Sequence, residues 1–229
     1  MAAASPQIAT LVPKWKQRTA DTHKKHVTMA SNGKFSTLFL GDSMFERWMS
    51  TGRNFWFADL SKQNIFNAGV GGDKIENLLW RLTPSDGTQG ILDVMKPSRI
   101  VLMIGTNNIE TDKIENILDG YQNLLNTIIA MQEKQNNKCH IVIYALLPRK
   151  DVSLSKVKYV NLLIESLVKS TTIELLTKSL YTETLTPLVT LEYRNMNALF
   201  EGKEVYDDNV HLNSAGYQIW LEDLKTCVN

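Results

Sequence analysis

The sequence predicts an α/β protein built on a parallel sheet covered by helices on both faces. Three observations predict it. Short apolar runs alternate with helix-period stripes along the chain. The run Arg99 to Ile104 is apolar on both faces, as a strand must be when helices cover each side of it. The first and third runs close on a glycine, Gly41 and Gly105, which marks a sharp exit from a strand. The chain has 229 residues with 43% apolar and 21% charged side chains. That suits one globular domain with its own core.

Residues 1–34 are polar with few periodic apolar positions and read as a helical or irregular lead-in that wraps a domain spanning 35–229. The first strand is Phe35 to Leu40 and the second Asn64 to Asn67, followed by Gly69, Gly71 and Gly72. A helix from Asp73 carries Ile75, Leu78, Leu79 and Leu82 on one face. After the third strand, Arg99 to Ile104, a helix follows with Ile114, Ile117, Leu118, Tyr121, Leu124, Leu125 and Ile128 in one stripe. His140 to Ala145 is a fourth strand that stops before Pro148. Leu154, Val157, Leu163, Ile164 and Leu167 mark another helix, and Thr172 to Leu176 is read as the fifth strand. Residues 181–205 give no clear pattern beyond a helix after Pro187. Asn213 is the N-cap of a final helix bearing Tyr217, Trp220, Leu221 and Leu224.

Composition narrows the function. Lys plus Arg number 25 against 24 Asp plus Glu. No basic stripe of the kind that nucleic acid selects is present, so a nucleic-acid partner is not expected. Lys24, Lys25 and His26 read as a solvated helix end. The two cysteines, Cys139 and Cys227, are not the framework of a disulfide-stapled secreted domain. No Asn-x-Ser/Thr acceptor, signal-like start or membrane-length apolar run occurs. The expectation is a cytoplasmic protein with reduced thiols and no integral membrane segment.

In an open parallel sheet, ligands bind beyond the carboxyl ends of the strands. Gly41-Asp42-Ser43, Gly69 to Asp73, and Gly105-Thr106-Asn107-Asn108 follow the first three strands. Together they place a hydroxyl, exposed backbone N–H groups and a side-chain amide at one edge. That inventory suits acyl transfer, which needs a nucleophile and donors for a developing oxyanion. Serine also needs a base. Of the four histidines, His23 and His26 lie in the lead-in and His140 opens a strand at the opposite edge. His211 remains, three residues after Asp208, which can hold its tautomer.

These blocks resemble the SGNH (GDSL) hydrolase superfamily. The match runs in order through Gly41-Asp42-Ser43, Asn67 to Asp73, Gly105 to Asn108, and Asp208 to His211. Trp80-Arg81-Leu82 and Leu146 to Arg149 look like the branch containing the catalytic subunits of intracellular platelet-activating-factor acetylhydrolase, and such stretches also occur in carbohydrate acetylesterases. The resemblance implies a flavodoxin-like three-layer sandwich with five parallel strands, no metal and no organic cofactor. It implies Ser43 as nucleophile, His211 as base and Asp208 as its orienting acid. The oxyanion donors it implies are the N–H groups of Ser43 and Gly72 and the amide of Asn107. Gly72 is preferred to Gly71 because it directly precedes Asp73. Homodimers are implied by the acetylhydrolase branch, although no interface is legible in the sequence.

Each residue has a plainer role to weigh. Ser43 alone serves equally well as a helix cap, Asn107 as a turn residue, and Asp208 with His211 as a surface ion pair or two metal ligands lacking a third. The glycine cluster begins like a dinucleotide fingerprint, but Lys74 stands where its third glycine belongs. Neither a Walker loop nor Gly-x-Ser-x-Gly is present. Trp48, Trp56 and Phe57 are pocket candidates, though aromatic residues more often belong to the core. Asp73 and Asp207 are read as structural. The expected activity is a serine esterase acting on a small-molecule short-chain ester, acetyl above all, with Met44, Thr106 and Val210 bounding the pocket. The alcohol part is an acetylated carbohydrate, a phospholipid-like molecule or a small ester. An acyltransferase with the same triad and a non-catalytic binding module on the same fold are the alternatives.

Overall fold

The apolar runs become parallel strands in the computed structural model, which describes residues 16–182 and 186–228. Helix α1 (Gln17–Asn32) precedes strand β1 (Thr37–Gly41), and α2 (Ser43–Glu46) and α3 (Arg53–Ala58) lead to β2 (Ile65–Gly69). Then α4 (Ile75–Leu82) and α5 (Ile91–Val94) lead to β3 (Arg99–Met103), and α6 (Ile114–Lys134) leads to β4 (Cys139–Tyr144). Finally α7 (Leu154–Tyr181) leads to β5 (Val189–Arg194), and α8 (Ser214–Val228) closes the chain. The first fifteen residues of the expected lead-in, and 183–185 within the stretch without a clear pattern, lie outside the described residues.

The strand order is β2-β1-β3-β4-β5 and every pairing is parallel, the flavodoxin-like order. Successive side chains of a strand point to opposite faces, and the sheet therefore feeds two cores. Leu38, Leu40, Ile100, Leu102, Ile141 and Ile143 pack with residues of α4, α6 and α7. Phe39, Val101, Met103, Val142 and Tyr144 pack on the other face with Trp48, Tyr217 and Trp220. In register, Gly41 of β1 lies beside Gly69 of β2 and Met103 of β3. The chain leaves β1 toward β2 and later places β3 on the other side of β1. Loops after β1 and β3 thus diverge and open a crevice where ligands bind in such sheets.

The fifth strand is not where the sequence placed it. Thr172 to Leu176 continues α7, a 28-residue helix. Its β-branched residues mimic a strand locally, but Val168, Thr171 and Leu175 keep the buried helical face going. The Thr172 and Thr177 hydroxyls donate to the carbonyls of Val168 and Ile173, four residues earlier, both at 2.8 Å. That satisfies them within the helix. The real β5 follows Pro187, where a helix was expected. It is an edge strand whose alternation carries only Val189, Leu191 and Tyr193 inward. A 3-10 turn, Asn197–Phe200, completes that region.

One charged side chain interrupts the apolar face of α4. Arg81 has no exposed surface, and neither has its partner Asp73, whose Oδ2 accepts from Arg81 Nε at 2.8 Å. Arg81 Nη1 donates to the Ala68 carbonyl at 2.7 Å and Nη2 to the Gly41 carbonyl at 3.1 Å. One guanidinium therefore ties the ends of β1 and β2 to the loop that follows β2. Breaking a buried pair by removing one partner strands the other charge and typically costs about 3–5 kcal/mol. Arg81→Met is expected to destabilise the fold by that order in urea unfolding, and Arg81→Met/Asp73→Leu by clearly less than the two single changes summed.

Candidate active site

Ser43 opens α2, immediately after β1 ends at Gly41. Between them Asp42 caps the helix, its Oδ1 accepting the Met44 N–H at 2.9 Å. The Ser43 N–H falls in the first helical turn, where N–H groups lack intrahelical partners and can point at a ligand. Helix α2 is fixed from both sides. Asn67 of β2 donates to the Phe45 carbonyl at 2.7 Å, and the Tyr217 hydroxyl of α8 donates to the Met44 carbonyl at 2.7 Å.

The loop before α8 brings the imidazole. An isolated antiparallel bridge between Tyr206 and Leu212 pinches it, the Asp207 N–H donates to the His211 carbonyl, and the Lys150 N–H donates to the Asn209 carbonyl. The Asn213 side chain caps α8 through the Gly216 N–H at 3.0 Å, as expected. In this frame His211 Nδ1–H donates to Asp208 Oδ2 at 2.7 Å, and the Ser43 hydroxyl donates to His211 Nε2 at 2.9 Å. Asp208 Oδ1 also accepts the N–H groups of Val210 and His211, each at 2.7 Å. Partial desolvation opposes its charge, but these donors from the His211 backbone, the His211 ring and Val210 hold its carboxyl well below the usual carboxylate range. Arg47 approaches from the side, 3.8 Å from Asp207 and 3.9 Å from Asp208.

The expected oxyanion donors Gly72 and Asn107 lie in the loops after β2 and β3, the strands on either side of β1. Gly72 has φ +79°, a left-handed conformation that glycine adopts without steric cost. The Asn107 amide donates one N–H to the Asp73 carbonyl at 2.9 Å. An amide carries two such hydrogens, which leaves the second for a ligand. Asn108 is a buried tie instead: it accepts the Ile75 N–H at 3.0 Å and donates to Glu76 and Asp112 at 3.0 and 2.8 Å. Of the expected pocket residues, Met44 is packed in the aromatic core. Thr106 is buried with its carbonyl accepting from Arg149, and Val210 is half-buried on the His211 loop. Trp48 and Trp56 are core residues and Phe57 is exposed, so the aromatic pocket does not form. A polar groove of about 690 Å³ borders Gly72 and Asn107 and is lined by Lys16, Lys74, Glu110 and Thr111 among others.

The other histidines stand apart. Burial lowers His23 and His26, the latter to about 3, and they pack edge-on against Trp80 and Phe66. His140 contacts Thr190 and Glu192 at the start of β4. Cys139 and Cys227 are both free and buried. Among the described residues, no helix is long and apolar enough to cross a membrane, and no cluster of three or more His, Cys, Asp or Glu is arranged to hold a metal ion.

Arg81, Arg149 and Tyr217 build the site's frame, and sequence reasoning assigned none of them a role there. Arg81 had a legible signal, a lone charge between Leu78 and Leu82 on an apolar helix face. Asp73, read as structural, is its partner.

Residues 39–219 match the GDSL-like lipase/acylhydrolase family, and the chain belongs to that family. Its parallel sheet flanked by helices is of the α/β class. Among its relatives is the platelet-activating factor acetylhydrolase IB subunit alpha2 of Homo sapiens, 30% identical over 132 residues, 58% of this chain and 52% of that one. The subunit beta homolog of Drosophila melanogaster is 30% identical over 166 residues, 72% of this chain and 65% of the other. This chain thus spans about half the length of the first of these relatives. A GDSL-like lipase from Bacteroides thetaiotaomicron superposes with TM-score 0.60 at 16% identity, covering 90% of this chain and 96% of that one. The acetylxylan esterase Axe2 from Geobacillus stearothermophilus does so with TM-score 0.54 at 15% identity, covering 86% and 95%. At these identities the two structures share the fold.

Asp42 directly precedes the nucleophile candidate and has no exposed surface, and its Oδ2 has no hydrogen-bond partner among the described residues. Desolvation is the main cause that raises its carboxyl from 3.8 to about 7, with Asp73 adding to the effect and the Met44 N–H opposing it. Between those values the folded protein holds a proton that the unfolded chain has released, so this group makes stability fall as pH rises from about 4 to about 7. Asp208 acts in the opposite sense, its contribution being lost as pH falls through its depressed value, and it cancels between variants that share it. Asp42→Asn is therefore expected to gain melting temperature relative to the wild type between pH 4 and pH 7 and to hold a constant difference above. Parallel melting curves across that range would show that Asp42 does not titrate there.

Proposed function

We propose that Ser43, His211 and Asp208 carry out ester hydrolysis through an acyl-enzyme, with the N–H groups of Ser43 and Gly72 and the Asn107 amide receiving the oxyanion. The observation that carries this reading is the continuous chain from the Ser43 hydroxyl to His211 Nε2 and from Nδ1 to Asp208. As Ser43 Oγ attacks the ester carbonyl, its proton passes to Nε2 and the imidazolium is stabilised by Asp208. His211 then protonates the departing alkoxide. In the second half, His211 takes a proton from water, the hydroxide attacks the acyl carbonyl, and Ser43 leaves with that proton as the acid is released. The carbonyl oxygen is negatively charged in both tetrahedral intermediates, and donors already in place stabilise it without reorganisation.

The substrate we propose is a short-chain ester, acetyl above all, of a polar alcohol. We place the acyl group toward Met44 and Thr106, both of them buried, which favours a short chain. The polar groove beside Gly72 and Asn107 suits a hydroxyl-rich or zwitterionic alcohol. The name of the relatives, acetylhydrolase, and that of the structural neighbour, acetylxylan esterase, agree with this.

Ser43→Ala and His211→Ala are expected to abolish turnover of nitrophenyl acetate. Fluorophosphonate treatment is expected to add one adduct by intact mass to the wild type and none to Ser43→Ala. Asn107→Ala should lower kcat by about 10²–10³ with KM little changed. Across nitrophenyl esters from acetyl to palmitoyl, rates should fall with chain length; faster turnover of the long chains would refute the acetyl preference.

A further inference from the structure

The peptide that offers the Gly72 N–H has its carbonyl on Gly71, and across a trans peptide the two point in opposite directions. Whatever holds the Gly71 carbonyl therefore aims the Gly72 N–H. Arg18 of α1 holds it, Nη1 donating at 2.6 Å, while Nη2 donates to both carboxylate oxygens of Glu46 at 2.7 and 3.0 Å. Glu46 is the last residue of α2, the helix that Ser43 opens. A Cβ at position 71 would lie 2.5 Å from Glu46 Oε2 and 2.8 Å from Arg18 Nη1, so a larger residue there would make the pair shift. Flanking residues of the same segment grip the next two positions. Lys16 Nζ donates to the Gly72 carbonyl at 2.5 Å, and the Thr19 hydroxyl donates to Asp73 Oδ1 at 2.7 Å.

We propose that Arg18, braced by Glu46, is a positioning residue for the oxyanion donor of Gly72, so that α1 is part of the catalytic frame. This rests on the reading of Ser43 and Gly72 given above. The guanidinium acts in two ways. It fixes the plane of the Gly71–Gly72 peptide relative to the helix that carries the nucleophile. It also polarises that amide through its carbonyl, which makes the N–H on the other side a stronger donor. Arg18 and Glu46 are solvent-accessible, with 60% and 34% of their side-chain surfaces exposed. An exposed ion pair contributes little to stability, so rate and stability respond differently to its loss.

The test measures nitrophenyl acetate hydrolysis, fluorophosphonate labelling rate and melting temperature for full-length wild type, Ser43→Ala, Arg18→Met, Glu46→Gln and Arg18→Lys. Losing a whole oxyanion donor costs about 10²–10³ in kcat, and misaiming one should cost less, about tenfold. Arg18→Met is expected to lose that factor in kcat and in labelling rate, with KM within about twofold and melting temperature unchanged. Glu46→Gln should lose less in the same direction, and Arg18→Lys, which keeps a donor to the Gly71 carbonyl, should recover most of the rate. Wild-type kcat in Arg18→Met, while Ser43→Ala is inactive, would overturn the proposal and leave the site reading standing. A rate loss that comes with a lowered melting temperature and is not rescued by lysine would overturn it too, by assigning the pair to folding. Activity in Ser43→Ala would overturn the site reading itself.

Discussion

A guanidinium removed from water must find acceptors for its N–H groups or leave a cost of several kcal/mol in the fold. Arg81 finds them in the Asp73 carboxylate and in the Gly41 and Ala68 carbonyls, the positions where β1 and β2 end. Burial lowers the guanidinium and raises the Asp73 carboxyl, while their mutual attraction opposes both shifts. The Thr19 hydroxyl supplies a further bond to Asp73. Gly41 lies two residues before Ser43 and Asp73 directly follows Gly72, so one buried ion pair sets the strand that leads to Ser43 against the glycine loop. The Asp73 carbonyl accepts from Asn107 as well, which brings the loop after β3 into the same register.

The other half of the site depends on the opposite face of the sheet. Trp220 of α8 stacks among Phe45, Trp48, Tyr144 and Tyr217, and Tyr217 reaches from α8 to the Met44 carbonyl. Helix α8 therefore supports α2 directly, and its N-terminal loop carries His211. The separation of Ser43 from His211 is set by packing that both share rather than by either loop alone. A part-buried hydrogen bond is thus held by an apolar cluster beneath it, whose close packing resists displacement.

Much of this was legible in the sequence, for identifiable reasons. Strands β1, β3 and β4 announce themselves because a strand covered on both faces is apolar almost throughout, and α6 because its stripe runs for several turns. Ser43, His211 and Asp208 stood out because chemistry restricts which residue types can do this work, and because the sheet edge eliminates His140. The fifth strand failed for the converse reason. An edge strand needs only alternate apolar residues, so Val189, Leu191 and Tyr193 gave a weaker signal than the β-branched run Thr172 to Leu176, whose helical conformation is imposed by the buried face of α7. The long-range ties escaped for a different reason. That Arg18 meets Gly71, or that Arg149 meets Thr106, is a property of the packed chain, and nothing in the local pattern of either residue encodes its partner.

The same ties bear on how the site would work. An oxyanion donor is useful to the extent that it is already aimed when charge develops, since any reorientation at that moment is subtracted from the stabilisation it gives. Here the proposed donors are held by contacts made elsewhere: the Asn107 amide by one of its own hydrogens to Asp73, and the Gly71–Gly72 peptide by Arg18 through its carbonyl. Among the described residues, nothing takes the N–H that either would offer. The bracing also confers a direction on the crevice. At Met44 it backs onto the aromatic core, while the groove beside Gly72 and Asn107 is bordered by Lys74, which is paired with Asp112 at 2.8 Å, and by Glu110 and Thr111. A small apolar acyl group and a larger polar alcohol fit this asymmetry. The reverse arrangement would set a long acyl chain against charged groups that must then lose water.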